Sequence, residues 1–540
     1  MKRAACLCLT LALALLAGCG KETGPSSSSS TAASSEPAAG GELVFAFDGA
    51  AASSFPLDPH LQPSYAPTSR ILRSIYDSLV VALPGHRFGP WLATAWETSP
   101  DGRSTTFRLR QDVTFHDGTR FDAAAVKANF DRIFDPKNAL GSAKEFLGFK
   151  QAVVLDEFSV RLDFEQPYAP LLAQLSKTHF GIASPAAIAQ YGSQLGAHPV
   201  GSGPFRLARV VSGTEIQLER FDAYRWAPEG SQHPGPAFLE KLTFKSVPEE
   251  ATRVAVLQSG EAQAADLIPP QNLVNIRNDP DVRVVEGELL NHNYTLRLNT
   301  RRPPWDDVRA RRAFRAGLDV DAAIKTIYLG TATRAWSPLS PGLFAYDRTL
   351  ENTWGPDRAA AGRALEELGW KPGPDGIRVK DGKRLTVVCL DGQGNREKRI
   401  DLLTVFRRQL KEVGIDLRIE SQPGGNYLEK IRNGDFDLAA GSQFTTDPDV
   451  LRTLYTPDSS YARIDDAELT GWLRTASQRT DPAERLALYA RAQHHIIDAV
   501  CTIPTYVLLY TVTTPRRVHD VRIDTAGFPQ FHEAWLEPQR

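Results

Sequence analysis

Adjacent histidines, two isolated cysteines, a glycine-rich turn and a run of arginines are the residues whose types could do chemistry, and their spacing limits each. His494 and His495 sit next to each other on a stretch that reads as a helix, where neighbours point about 100° apart, so they cannot chelate one ion together. His116 opens the turn His116-Asp117-Gly118-Thr119 and has no second ligand-type residue at metal-site spacing. Cys389 and Cys501 either pair in an oxidising compartment or stand as two separate buried thiols, and neither has partners that suggest zinc. Pro199 to Phe205 contains Gly201-Ser202-Gly203, but it lacks a Gly-Lys-Ser/Thr and leads into a strand, so it reads as a tight structural turn. Arg309, Arg311, Arg312 and Arg315 would grip an anion or, more commonly, form a solvated helix face. A nucleophile elbow, a His-Glu-x-x-His helix, a Walker loop and Cys-x-x-Cys pairs are all absent, so catalysis has no positive support. The expectation is a non-enzymatic protein with no cofactor and no metal.

The address is written more plainly than the chemistry. Lys2 and Arg3 precede an apolar run, Ala4 to Leu16, that is too short to span a bilayer. A charged start, a short apolar core and small residues at the cut make a secretory signal over 1–18. Leu16-Ala17-Gly18-Cys19 resembles the bacterial lipobox, which implies acylation of Cys19. Residues 19–41 are dominated by Ser, Ala, Gly and Pro and cannot bury enough apolar surface to fold, so they read as a tether. The chain is therefore expected outside the cytoplasm, lipid-anchored to a membrane.

Composition fits a soluble body with ample core: 540 residues, 42% hydrophobic and 23% charged. A formal net charge of −2 gives no strong pull toward nucleic acid. Glu42 to Phe47 reads as a buried strand ending in the loop that starts at Asp48, a favoured place for ligand contact in α/β folds. A second loop, Phe55 to His60, is stiffened by two prolines. Thr105, Phe107 and Leu109 alternate as a strand, Asp122 caps a helix bearing Val126, Phe130 and Ile133, and Ala152–Leu155 with Ser159–Phe164 completes a small α+β block. Asn293 to Asn299 alternates, with Tyr294, Leu296 and Leu298 on one face. Asp306 is expected to cap the following helix, Asp357 the next, and Asp481-Pro482 with Glu484 a long one. Leu385–Leu390, a helix stopped by Gly414, and the strand Ile415–Ile419 form a βαβ unit, which demands a parallel sheet.

Several motifs together carry a family resemblance. Tyr76-Asp77-Ser78-Leu79-Val80, Leu92 to Glu97 with Ser99-Pro100-Asp101-Gly102, Phe115 to Thr119 with Val126 to Phe130, Pro199 to Phe205, Asp307-Val308-Arg309, Asp447-Pro448, and Leu488-Tyr489 with Ile503-Pro504 are similar to the peptide/nickel family of solute-binding proteins. The resemblance implies an α/β, two-lobed periplasmic-binding-protein-like fold of type II with an inserted α+β subdomain. It places lobe I at 42–290 plus 503–540, the insertion at about 86–198, and lobe II at 291–502. It further implies a monomer that delivers a small solute, an oligopeptide by default, to an ABC importer. Peptide binders of this family hold the peptide's amino terminus with an acidic residue three positions before the Asp-Pro pair. Here that position is Phe444, flanked by Ser442 and Gln443. The nickel reading would call on His179 or His292. Expected ligand contacts are Phe47, Asp48, Phe55, Tyr294, Trp336, Ser442, Gln443, Phe444, Asp447 and Tyr506, although each aromatic among them is commonly core packing. A binder of a nickel chelate or other non-peptide solute, a tethered hydrolase and a receptor-coupled sensor are the alternatives.

Overall fold

Two sheets organise the chain, and their strand order follows from where apolar runs can be buried on both faces. A computed structural model describes residues 36–49, 56–61, 66–287, 290–392, 394–422, 425–507, 509–525 and 527–538. Cys19, the signal segment, most of the tether and Phe55 lie outside the described residues. The end of the tether stretch is not free: Gly40 donates its N–H to the carbonyl of Phe238 at 2.7 Å, and Gly41 accepts from Glu240 and Lys241.

The first sheet begins with β1 (Glu42–Phe47), which the sequence places correctly. After it come the hairpin strands β2 (Val80–Leu83) and β3 (Arg87–Pro90), then the inserted strands β4 (Ala93–Thr98), β5 (Ser104–Leu109), β6 (Phe149–Asp156) and β7 (Ser159–Phe164). These last four form their own antiparallel sheet, in the order β4-β5-β7-β6. The helix Ala123–Phe134 packs on it, started by Asp122, whose carboxylate accepts from the Ala125 N–H at 2.7 Å. Phe107, Phe130, Phe146, Val160 and Leu162 give this block a core of its own.

The chain then returns to the first sheet with β8 (Phe205–Val211), β9 (Glu215–Arg220), β10 (Lys241–Ser246), β11 (Ala264–Asp266) and β12 (Val282–Gly287). The turn before β8 is structural, as its sequence suggests. A Cβ on Gly201 would stand 2.1 Å from the Ile75 carbonyl oxygen, so only glycine allows this approach.

The second sheet contains β13 (Asn291–Leu298) and β14 (Thr333–Arg334); a small three-stranded sheet of β15 (Lys371–Pro372), β16 (Arg378–Lys380) and β17 (Lys383–Arg384) follows. The second sheet is completed by β18 (Thr386–Asp391), β19 (Asp416–Ser421), β20 (Leu438–Phe444) and β21 (Thr502–Val507). The parallel pairs β18–β19 and β18–β20 bear out the βαβ unit, with the helix Arg399–Glu412 as its crossover and Gly414 at φ 85 as its stop. β13 was expected to alternate, but all eight of its residues are buried. It lies between β20 and β21 inside the sheet, and core residues cover both of its faces: Tyr294, Leu296 and Leu298 belong to the main core, while His292 on the other face meets Tyr455.

The chain crosses between the sheets twice, from β12 to β13 and from β21 to β22 (Tyr510–Pro515), which pairs with β11 and β12. Because β21 pairs with β13, the return crossing falls after Val507 and not after residue 502. The cap of the helix Val308–Ala316 is Asp307, one residue later than expected; its carboxylate accepts from the Arg309 N–H at 2.8 Å. Arg309 and Arg312 lie on the solvated face expected of that helix, while Arg311 and Arg315 turn inward. Arg311, Arg312 and Arg315 donate to the carbonyls of Ala499, Asp498 and Ile497, at the end of the helix Pro482–Asp498. Cys389 and Cys501 are both buried and unpaired, and burial pushes both thiols up, Cys501 to about 12.

Candidate ligand-binding site

Ligand sites in open α/β sheets form beyond the carboxyl ends of parallel strands. Here the ends of β1, β11 and β18 converge on one polar cluster. Asp48 follows β1, and its N–H donates to Asp266 Oδ1 at 3.3 Å. Asp266, the wholly buried last residue of β11, also accepts from the Tyr510 hydroxyl at 2.7 Å and pairs with Arg70 Nη1. The Arg70 guanidinium lies 4.8 Å from the centre of the Tyr510 ring. Burial works against its charge, and Asp266, Tyr510, Asp48 and Glu397 together outweigh burial.

The turn after β18 supplies the opposing groups, Arg396, Glu397, Lys398 and Arg399. Arg396 Nε stands 3.8 Å from Asp48, which ties the two sheets together, and 3.2 Å from Glu397. Glu397 accepts from Arg399 Nη2 at 3.0 Å and from the Tyr506 hydroxyl at 3.0 Å. Burial pulls the Glu397 carboxyl up, and Arg399 and Arg396 more than reverse that, so it stays below its ordinary value. Arg399 also donates to Ser442 Oγ at 2.9 Å and covers the Tyr294 ring at 4.8 Å. Tyr294 stacks on Tyr506 at 5.2 Å and donates to Asp391 at 3.1 Å. Lys398 pairs with Glu250 on the first-sheet side.

This turn is held against its own preference. Glu397 and Lys398 both have positive φ, 56° and 60°, and left-handed backbone costs a non-glycine residue about 1–2 kcal/mol. The Tyr328 hydroxyl donates to the Glu397 carbonyl at 2.8 Å, and Asn395 Oδ1 accepts from the N–H groups of Ile400 and Asp401, capping the helix that follows.

Of the residues singled out from sequence, Asp48, Tyr294, Ser442 and Tyr506 come together in this cluster. Phe47 does not: it is a core residue packed against Phe45 and Phe244. The contacts of Trp336 are with Arg334 and Trp354 instead. Asp447 is buried outside the cluster and accepts from Arg485, at 2.8 and 2.9 Å, and from the Asp449 N–H. Gln443 pairs through its backbone with His292. Phe444 is half-buried and tilts against Phe528 at 5.0 Å, putting an apolar contact where family peptide binders have an acid. His179 and His292 are buried against Glu145 and the Tyr455 hydroxyl. Arg70, Asp266, Arg396, Glu397, Arg399 and Tyr510 were not anticipated. One signal was available: the run Arg396-Glu397-Lys398-Arg399 lies just beyond the carboxyl end of an apolar parallel strand, after residues 392–395.

The family described as "Bacterial extracellular solute-binding proteins, family 5 Middle" matches residues 87–463. The chain is 27% identical over 438 residues to the glutathione-binding protein GsiB of Escherichia coli (strain K12), covering 77% of this chain and 80% of that protein. Among solved structures it is similar to NikA from Brucella suis in complex with Fe(III)-EDTA, with TM-score 0.78 and 26% identity over 92% of this chain and all of the other. It is also similar to the ABC transporter-associated periplasmic binding protein DppA from Helicobacter pylori in complex with the peptide STSA, with TM-score 0.79 and 25% identity over 93% and 99% of the two chains.

Proposed function

We propose a function from one premise: this chain belongs to the bacterial extracellular solute-binding proteins of family 5. The protein captures a small solute between its two lobes, which close on it, and presents the closed form to an ABC importer. The observation that carries this reading is the buried polar cluster between the two sheets, bridged by Asp48 and Arg396. A polar cluster shut away from water between two separately built lobes suits a polar solute that enters when they part.

The solute class is peptide-like. GsiB and DppA support it through the ligands they are named for or solved with, glutathione and the peptide STSA. The burial of His179 and His292 in packed contacts weighs against a histidine-held nickel chelate. The site's only role is binding, with no catalytic step. The body is a monomer held outside the cytoplasm by a lipid on Cys19 and the tether after it.

Native mass spectrometry of the purified protein, followed by calorimetric titration with glutathione and with di- to tetrapeptides, tests the reading. A one-to-one complex is expected without turnover; hydrolysis of the peptide would overturn it. Labelling cells with a fatty-acid analogue tests the anchor, since label is expected on the wild type and lost in Cys19→Ala.

A further inference from the structure

Arg70 is wholly buried, yet only one of its guanidinium nitrogens is used. Nη1 holds Asp266, while Nε and Nη2 have no acceptor among the described residues. Those two atoms form one edge of the guanidinium, and their parallel N–H bonds match the two oxygens of a carboxylate. Several other arginines have a buried Nε without an acceptor, but among the described residues only Arg70 has both atoms of that edge in this state. Arg399, across the cluster, spends its Nη2 on Glu397 and Ser442, so its Nε/Nη2 edge is already engaged. The Arg70 ring contact with Tyr510 and the Asp266 bond fix the guanidinium plane, so the open edge is aimed before any solute arrives.

We propose that the Nε/Nη2 edge of Arg70 is the fork that takes a carboxylate of the solute, on the first-sheet side of the cleft. The rest of the cluster says what else that solute carries. Three guanidiniums, Arg70, Arg396 and Arg399, are set against four carboxylates, Asp48, Asp266, Asp391 and Glu397. A bare anion would add to a surplus of negative charge. A solute bearing a carboxylate for the fork and a cationic group to offset it leaves the cluster nearly neutral. The class is an amino-acid-derived zwitterion, a short peptide with a free carboxyl end among them. This rests on the solute-binding reading above and deepens it.

The test uses the intact chain and two pairs of probes: Ala-Ala-Ala with its carboxy-terminal amide, and glutathione with its diethyl ester. In the wild type the free acids are expected to bind at least about tenfold more tightly than their neutral counterparts, as for a charge-assisted pair of hydrogen bonds. Arg70→Gln is expected to remove that difference, lowering acid binding about tenfold more than amide or ester binding. Because Arg70→Gln strands Asp266 in the interior, the double variant Arg70→Gln/Asp266→Asn and a thermal melt separate loss of the fork from loss of the fold. Arg70→Lys keeps a charge for Asp266 but not the fork, and is expected to behave like Arg70→Gln. Acids and neutral forms binding equally well to the wild type, or acids binding equally well to the folded variants, would overturn the fork and leave the solute-binding reading standing. Displacement of the acids by equimolar inorganic phosphate would reassign the edge to a phosphoryl group and overturn the carboxylate. Failure of all four probes to bind the wild type would overturn the peptide-like reading itself, and the fork with it.

Discussion

Removing the Glu250–Lys398 pair should loosen closure without touching the solute. Glu250 opens the helix Glu250–Gln258 beside the first sheet, and Lys398 belongs to the strained turn after β18, so the pair exists only while the lobes are together. Their side chains are 24% and 17% exposed, between the surface and interior regimes. Lys398 also has Asp401 at 3.8 Å, so Glu250→Gln does not strand a buried ammonium, and the loss stays near about 1 kcal/mol. That energy is lost from the closed form alone and shifts the closed-to-open ratio about fivefold. A peptide or glutathione that binds the closed form should leave about five times faster, with little change in its association rate. Stopped-flow tryptophan fluorescence measures both rates, and small-angle scattering of the free chain should show a larger radius of gyration. Glu250→Lys combined with Lys398→Glu should bring the dissociation rate back toward wild type. A Glu250→Gln variant that melts normally and releases solute at the wild-type rate would refute the idea that this pair fastens the lobes.

Phe444→Asp, which places a carboxylate three residues before Asp447, should improve binding of peptides with a free amino terminus by about tenfold and leave amino-acetylated peptides unimproved, read by calorimetry. His60 is fully buried, donating from Nε2 to the Gly181 carbonyl at 3.0 Å and accepting from Arg132 at Nδ1, and burial lowers its pKa to about 4. The unfolded chain takes up that proton from about pH 6.5 downward and the folded chain does not until about 4, so stability is lost as pH falls through this window. The loss is about 2 kcal/mol by pH 5, and His60→Gln should remove that share of the pH dependence in urea denaturation. Buried Asp77 works the other way: desolvation raises it to about 7, so its protonation adds stability as pH falls from 7 toward 4, and Asp77→Asn should flatten that rise. Neither Cys389 nor Cys501 should react with a maleimide in the native protein, and both should react after unfolding without reductant, read by intact mass.

Local rules made much of the scaffold legible. Asp122, Asp357 and Asp481 each cap a helix, because a carboxylate just before a helical run has few better uses than the free N–H groups there. The β18-helix-β19 unit was visible because apolar period and glycine stop agree. The motifs shared with the peptide/nickel family implied two lobes and an insertion, and the loop before Asp447-Pro448 drew attention to Ser442. The rest of the cluster was hidden because its members are far apart in the chain: Arg70 meets Asp266, which meets Tyr510. A charged residue in a linear sequence reads as solvent-facing, and only the pairing of β11 with β1 and β22 puts these charges indoors. Aromatics carry less information, since Phe47 packs against Phe45 in the core and Trp336 contacts Arg334 and Trp354 outside the cluster.

The three arginines that close the end of the helix Pro482–Asp498 have a mechanical consequence. That helix runs through Val500 and Cys501 directly into β21, the strand from which the chain makes its second crossing between the sheets. Arg311, Arg312 and Arg315 pin its last carbonyls to the neighbouring helix Val308–Ala316. One of the two crossings between the sheets therefore starts from a helix end clamped to its own lobe. A lobe stiffened in this way turns as a plate, and the work done by a captured solute goes into turning it and not into bending the sheet that holds it.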